Sequence, residues 1–242
     1  MSHKDLDSAP SSVVTVRSVA RESSGRFALI LIIAAIPAFL EGFDNNLFTF
    51  GSPFITHNVH GTAALLGTLA TGYAVGIAVF SMLGGYLFDK TPVKYTVMAS
   101  IVLFAGFTVL TGYVATPAEL FIARLGVGLG IGIFQPASVT LLGDIFFETR
   151  GRAISIWIIL FGLGLFVGPY IISPFLPHYR TPFVLSAAAG IIALILFYIF
   201  IPNTYKVLER QHLNFRGIFN RNVIILSLAL FLFGITLFGF LG

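Results

Sequence analysis

The sequence of 242 residues contains no cysteine and little charge, and these two shortages exclude several kinds of protein. Without cysteine the chain forms no disulfide, no thiolate zinc site and no thiol nucleophile. Charged residues make up 10% of the chain and hydrophobic residues 57%, whereas a typical soluble domain is about 25% charged. The composition therefore predicts an integral membrane protein whose surroundings are the lipid bilayer.

Seven runs with little or no charge are long enough to cross a bilayer, whose hydrocarbon core needs about 20 apolar residues. Because a helix satisfies its own backbone hydrogen bonds in lipid, we expect every run to be helical, which gives an all-α membrane fold. The runs are residues 27–50, 64–88, 93–113, 118–142, 153–176, 182–201 and 223–242.

The spacing of these runs predicts the domain organisation. A polar tail (1–26) precedes a bundle of six helices (27–201), and a linker (202–222) leads to a seventh helix (223–242). The seventh run stops without a closing charge or turn. We therefore expect it to be the first helix of a second bundle.

The basic residues predict how the helices are oriented. Twelve of the 14 Lys and Arg residues lie in the tail or in the connections after the second, fourth and sixth runs. The opposite connections contain only Arg180, and Arg124 lies inside the fourth run. Since basic loops stay on the cytoplasmic side, the N-terminus is predicted to be cytoplasmic. The net charge of +4 thus indicates topology and not a nucleic-acid partner.

Ionisable groups inside the predicted spans are the first candidates for a functional site, because such groups are costly in a membrane. The helical period of about 100° per residue gathers the polar residues of the first run into a stripe about 140° wide. The stripe consists of Glu41, Asp44, Asn45, Thr49 and Ser52.

Depth along the helices predicts a partner for Asp44. A rise of about 1.5 Å per residue places Asp44 about 25 Å from one surface and Arg124 about 9 Å from the other. In a core about 30 Å thick these depths nearly coincide, which predicts an Asp44–Arg124 pair lining a polar cavity. Gln135 lies on the same face as Arg124, eleven residues later. Protonation of Asp44 would release the pair, so the pair is a candidate proton switch; the alternative is a static ion pair, which contributes little to stability. For Glu41, a structural role and a gating role both stay open.

Charged hinges follow the second and the fourth run. Each has an acid near a helix end and basic residues after it. The first hinge (85–94) contains Gly85, Asp89, Lys90 and Lys94, and the second hinge (144–153) contains Asp144, Arg150 and Arg152. Runs one to three and four to six then form two three-helix units, and such repeats are typical of secondary transporters.

Small residues recur where helices are expected to touch. Gly126 and Gly130 lie in the fourth run, and Gly164 and Gly168 precede Pro169 in the fifth. Small residues let membrane helices approach closely, so packing is the simplest interpretation. A more specific hypothesis is that the helices rock against each other at these contacts, with Pro169 locally weakening the hydrogen bonding of the fifth helix.

Several of these motifs, in this order, resemble those of the major facilitator superfamily. The first hinge resembles the hallmark after helix two, although Pro92 replaces its second glycine and Val93 a basic residue. The other resemblances are Arg124-Leu125-Gly126-x-Gly128 to the helix-four arginine motif, Gly164-x-x-x-Gly168-Pro169 to the helix-five glycine-proline motif, and Asp144 with Arg150-Gly151-Arg152 to the second cytoplasmic hinge.

The resemblance implies a fold of twelve helices in two six-helix halves, of which this chain resembles the N-terminal half plus helix seven. The missing C-terminal half would be its partner. Gly42-Phe43-Asp44 resembles proton-coupled sugar porters and aromatic-acid symporters, where the helix-one Asp and the helix-four Arg form the coupling pair. By the same resemblance, Asp89 would close an inner gate with Lys94, Asp144 and Arg150.

The predicted function is proton-coupled symport of a small organic solute, a sugar or an organic or aromatic carboxylate, across the plasma membrane, with no metal or other cofactor. Facilitated uniport or proton-driven efflux is the first alternative. An intramembrane enzyme is less favoured because the five His residues lie outside the predicted spans and no Gly-x-Ser-x-Gly motif occurs. A non-transporting receptor or a half-size homodimer is the last alternative.

Overall fold

A computed structural model describes residues 24–176 and 178–201, and five helical residues further on: Arg221, Ile225, Leu228, Ala229 and Leu232. For a few residues inside helices, Gly85, Asp89 and Lys90 among them, only the backbone is described. Two compact units divide the chain, Met1–Val207 and Leu208–Gly242. The predicted tail up to residue 23, the linker and most of the seventh helix lie outside the described residues.

The described part of the first unit consists of six long helices and no strand. They are α1 (Ser24–Asn58), α2 (Ala63–Lys90), α3 (Val93–Tyr113), α4 (Pro117–Ile145), α5 (Arg150–Ile172) and α6 (Arg180–Phe200), with single 3-10 turns at Phe147–Thr149 and Ser173–Phe175. All six are long and apolar enough to cross a membrane. The all-α membrane fold and its six-helix bundle are thus confirmed. α1 extends eight residues beyond its predicted end, so His57 lies in its last turn.

Local sequence explains where the helices begin and end. Thr116 caps α4 by accepting a hydrogen bond from the Glu119 backbone N–H at 3.2 Å, and Glu119 Oε2 accepts one from the Ala115 N–H at 2.8 Å. Pro117 follows at the first helical position, where a missing N–H costs nothing. The pattern resembles a capping box, except that Glu119 accepts from the residue before the N-cap.

Pro92, which departs from the hallmark motif, sets the geometry of the first hinge. Proline disfavours the helical conformation in the residue before it, and Thr91 is extended with φ −123° and ψ 151°. Pro92 itself is the N-cap of α3, and its carbonyl accepts from the Tyr95 N–H at 3.0 Å. The connection between α2 and α3 is therefore only two residues long.

The packing of the helices repeats after three. α1 packs on α5 and α6, α4 packs on α2 and α3, and α3 packs on α6. Exchanging α1 with α4, α2 with α5 and α3 with α6 leaves this pattern unchanged. The bundle is thus built from two three-helix units, the arrangement found in inverted-repeat transporters.

Glycines allow the closest contacts in both repeats. A Cβ added to Gly76 of α2 would lie 2.9 Å from the Leu125 carbonyl oxygen of α4. In the equivalent pair, a Cβ on Gly164 of α5 would lie 2.8 Å from the Phe43 nitrogen of α1. Larger residues would push these backbones apart. Gly126 and Gly130 lie in the same way against α3, at Phe107 and Phe104.

Candidate functional site

Buried polar residues lie where two apolar clusters of the bundle meet. On α1 the first cluster ends at Ala38 and the second begins at Phe43, and on α4 the change falls between Ala123 and Val127. At these junctions, and at the corresponding place on α3, the polar residues are Glu41, Asp44, Thr108 and Arg124, each at most 3% exposed. Three helices thus contribute to one buried polar layer.

Glu41 is held by Gln135 of α4. The Gln135 Nε2 donates a 2.6 Å hydrogen bond to Glu41 Oε1. Among the described residues nothing hydrogen-bonds to Oε2 of the same carboxyl group, although Glu41 is 1% exposed. A buried carboxyl oxygen without a donor is costly, so this atom is available to a proton or to a ligand.

Asp44 has a similar arrangement with a donor from α3. The Thr108 hydroxyl donates a 2.8 Å hydrogen bond to Asp44 Oδ2, and Oδ1 has no partner in the described part of the chain. Thr108 is not predictable from the depth of residues in the membrane, because depth along a helix does not give the rotation of the helix about its axis. The hydroxyl thus orients the carboxylate of α1 from α3.

The predicted direct pair between Asp44 and Arg124 does not form in the structure. The two groups are near enough to interact electrostatically, but no hydrogen bond or ion pair joins them among the described residues. The reason is that aromatic rings cover the guanidinium. Its central carbon lies 3.9 Å from the ring centroid of Phe48 and 4.6 Å from that of Tyr73.

These two rings fix the orientation of Arg124. A guanidinium that lies against aromatic rings keeps its charge, because the rings attract a cation. Its N–H groups lie in the plane, and the buried Nε has no partner within the described residues. Phe48 lies within the polar stripe predicted for the first helix, so the sequence contained a signal for it. We find no such signal for Tyr73.

The remaining stripe residues mostly bond within their own helix. The Thr49 hydroxyl donates to the Asn45 carbonyl and the Ser52 hydroxyl to the Thr49 carbonyl, both at 2.9 Å. The Asn45 side chain lies near enough to the Tyr73 hydroxyl to interact with it electrostatically.

At the first hinge, Lys94 contacts the end of α6. Its ammonium donates hydrogen bonds to the Ile201 carbonyl at 2.6 Å and the Tyr198 carbonyl at 2.9 Å, and it lies 5.2 Å from the centroid of the Tyr198 ring. The C-terminal carbonyls of a helix lack internal donors, which explains why a buried lysine is retained there. The Lys94 ammonium thus contacts the end of α6. The family resemblance had instead implied that Lys94 closes a gate with Asp89.

The other gate residues are only partly placed. Arg150 and Arg152 are exposed at the start of α5, and Asp144 is half-buried near the end of α4. The side chain of Asp89 lies outside the described residues, so the gate remains a prediction. No group of His, Asp and Glu residues in the described part of the chain could hold a metal ion.

Comparison with known proteins gives consistent matches. The family model of the Major Facilitator Superfamily matches residues 34–242. The 4-hydroxybenzoate transporter PcaK of Acinetobacter baylyi is 26% identical over 74% of this chain and 40% of its own length. The arabinose-proton symporter of Escherichia coli is 27% identical over 83% of the chain and 43% of its own length. A thioclapurine efflux transporter of Claviceps purpurea is 24% identical over 74% of this chain and 34% of its own length.

A solved structure shows the same fold. The proton:xylose symporter XylE superposes with a TM-score of 0.63 at 18% identity, covering 74% of this chain and 46% of that one. The chain spans less than half the length of the curated relatives it matches.

Proposed function

Because the chain belongs to the major facilitator superfamily, a family of transporters and not of enzymes, we propose that its six helices form the N-terminal bundle of a proton-coupled symporter for a small organic solute. The observation that carries this proposal is the buried polar layer. It combines two acidic residues, Glu41 and Asp44, with one basic residue, Arg124. Each of the three has a side-chain atom without a hydrogen-bond partner in the described residues.

The charge balance of this layer supports proton coupling. With both acids ionised, the layer carries one net negative charge in a region where unbalanced charge is costly. One proton on either carboxyl group neutralises it. Protonation and solute binding can then depend on each other, because both act on the same buried groups.

The chemistry of Arg124 favours a solute with a carboxylate. The Arg124 Nε has no partner in the described residues, and the N–H edge of a guanidinium matches the two oxygens of a carboxylate. The 4-hydroxybenzoate transporter among the relatives supports this class, and the arabinose-proton symporter supports a sugar. A sugar hydroxyl would use the same edge with a single hydrogen bond.

The proposal includes an orientation and a movement. The bias of Lys and Arg places the N-terminus and the two hinges on the cytoplasmic side of the plasma membrane. Rocking of the bundle against a second bundle would expose the polar layer to each side in turn. The gate formed by Asp89, Asp144 and Arg150 would close the cytoplasmic side.

Uptake into proteoliposomes that contain this bundle together with the second six-helix bundle tests the proposal. We expect accumulation of a radiolabelled solute, tested with benzoate as a carboxylate and arabinose as a sugar, only when an inward proton gradient is imposed. Asp44→Asn should abolish this accumulation while leaving the protein folded. Accumulation by Asp44→Asn at the wild-type level would overturn the coupling role. Uptake that does not depend on the proton gradient would show uniport. Expulsion of solute from loaded vesicles, driven by the inward proton gradient, would show proton-driven efflux; the thioclapurine relative is an efflux transporter.

A further inference from the structure

Pro169 leaves a backbone carbonyl of α5 without its helical donor. Proline has no N–H, so the carbonyl four residues earlier, that of Leu165, cannot form its helical hydrogen bond. Inside a membrane such a group must be satisfied by a neighbouring helix, a side chain or water. Pro169 lies within α5, and the helix continues to Ile172.

Asn46 of α1 supplies the missing donor. Its Nδ2 donates a hydrogen bond to the Leu165 carbonyl. The Asn46 side chain also packs against the glycine before the proline, since a Cβ added to Gly168 would lie 2.9 Å from Asn46 Cβ. The amide is therefore fitted to the proline break by both a hydrogen bond and a close contact.

A second proline shows that the donor to a carbonyl freed by proline need not come from another helix. Pro53 lies inside α1 and leaves the Thr49 carbonyl without a helical donor. There the donor is the Ser52 hydroxyl of the same helix, at 2.9 Å. The break in α5 is instead satisfied from another helix, and by a residue only two positions after Asp44.

We propose that Asn46 is a positioning residue for transport: its amide ties α1 to the proline break of α5 and thereby holds Asp44 at the place where it acts. The proposal rests on the proposed function, because it assigns a role at the same site. Without this hydrogen bond, α1 would rotate or slide on α5. The contact is formed largely by the glycines Gly42, Gly164 and Gly168, which have no side chains to interlock. Asn46 does not touch the proton or the solute.

Two variants distinguish a positioning role of Asn46 from a role limited to donating a hydrogen bond to the Leu165 carbonyl. Asn46→Leu keeps the side-chain size but removes the donor, so we expect a lower melting temperature and a KM for solute raised about tenfold. Pro169→Ala gives α5 an N–H that can bond to the Leu165 carbonyl. In the double variant we expect the melting temperature to recover and the raised KM to persist, because the tie between helices is still missing.

The outcomes of this cycle decide the question. A double variant with wild-type KM would show that only the carbonyl needs a donor, and the proposal would be wrong. An Asn46→Leu protein with wild-type KM would overturn it as well. Asn46→Gln, which keeps an amide donor, should recover part of the affinity. Thr71→Val is the matched control, because this exposed hydroxyl bonds only within α2, at 2.8 Å to the Gly67 carbonyl.

A distance measurement makes the test independent of transport. The chain has no cysteine, so spin labels can be placed at introduced cysteines replacing Phe50 of α1 and Ile171 of α5, each 41% exposed. We expect Asn46→Leu to broaden the distance distribution between the labels and Thr71→Val to leave it unchanged. An unchanged distribution in Asn46→Leu would refute the tie. If the wild-type protein transports nothing, the proposed function fails, while the label distances still report on the tie.

Discussion

Gln135 donates a 2.6 Å hydrogen bond to Glu41 across the contact between α4 and α1, and it is the donor the structure shows for that buried carboxyl group among the described residues. Gln135→Leu removes this donor while keeping the side-chain volume similar. An unsatisfied buried polar group costs about 1–3 kcal/mol, and more when it is charged. We therefore expect a loss of stability of at least this size in thermal unfolding of the purified protein.

The same pair allows a double-variant test. Glu41→Gln with Gln135→Leu replaces the carboxyl acceptor by a neutral amide, so the second substitution should cost less in this background than in the wild type. Equal costs in both backgrounds would mean that Glu41 and Gln135 do not interact.

Arg124 is expected to be irreplaceable by lysine. Lysine keeps the charge but lacks the planar group that lies against Phe48 and Tyr73, and it lacks Nε. We expect Arg124→Lys to raise the KM for a carboxylate solute at least tenfold in the uptake assay. Arg180→Lys is the control, because Arg180 lies 5.5 Å from the ring centroid of Tyr113, at the start of α6. A KM in Arg124→Lys equal to that of the wild type would contradict the role of the guanidinium edge.

The sequence predicted the helices well because each is determined locally. A run of about 20 apolar residues specifies a span, and the two-residue connection at Thr91 and Pro92 lies between two such runs. The sequence also identified Glu41, Asp44, Arg124 and Gln135, since charge and amides stand out in apolar runs. These predictions needed no knowledge of how the helices are rotated.

The pairing inside the site could not be predicted in the same way. Equal depth placed Asp44 beside Arg124, but contacts depend on the rotation of each helix and on neighbours that are not adjacent in sequence. Thr108 and Tyr73 come from α3 and α2, so neither lies in a segment that the depth argument compared. Asn46 falls outside the polar stripe, at about 140° from Glu41, because it faces α5 and not the buried polar layer.

Thr108 is predicted to tune the proton dependence of uptake through Asp44. Thr108→Val removes the hydroxyl that donates to Oδ2 at 2.8 Å and keeps the side-chain shape. A net hydrogen bond of about 1 kcal/mol corresponds to somewhat less than one pH unit, so the pH at half-maximal uptake should move by up to about one unit. Thr111→Val is a close control: it lies one turn later on α3 and its hydroxyl donates to the Phe107 carbonyl at 2.9 Å. If both variants move the pH profile equally, the effect does not come from the contact with Asp44.

Lys94 is expected to stabilise the bundle by holding the end of α6. Lys94→Met keeps the length and apolar character of the side chain but removes both hydrogen bonds, to the Tyr198 and Ile201 carbonyls. Because neither carbonyl has a helical donor among the described residues, we expect a destabilisation of about 1–3 kcal/mol, measured by thermal unfolding in detergent. Arg152→Gln is the matched control, since Arg152 is a basic residue at the second hinge and is exposed. Equal stability of Lys94→Met and the wild type would show that the ammonium does not cap α6. If Lys94 instead serves only the gate, Lys94→Met should change uptake and leave the melting temperature unchanged.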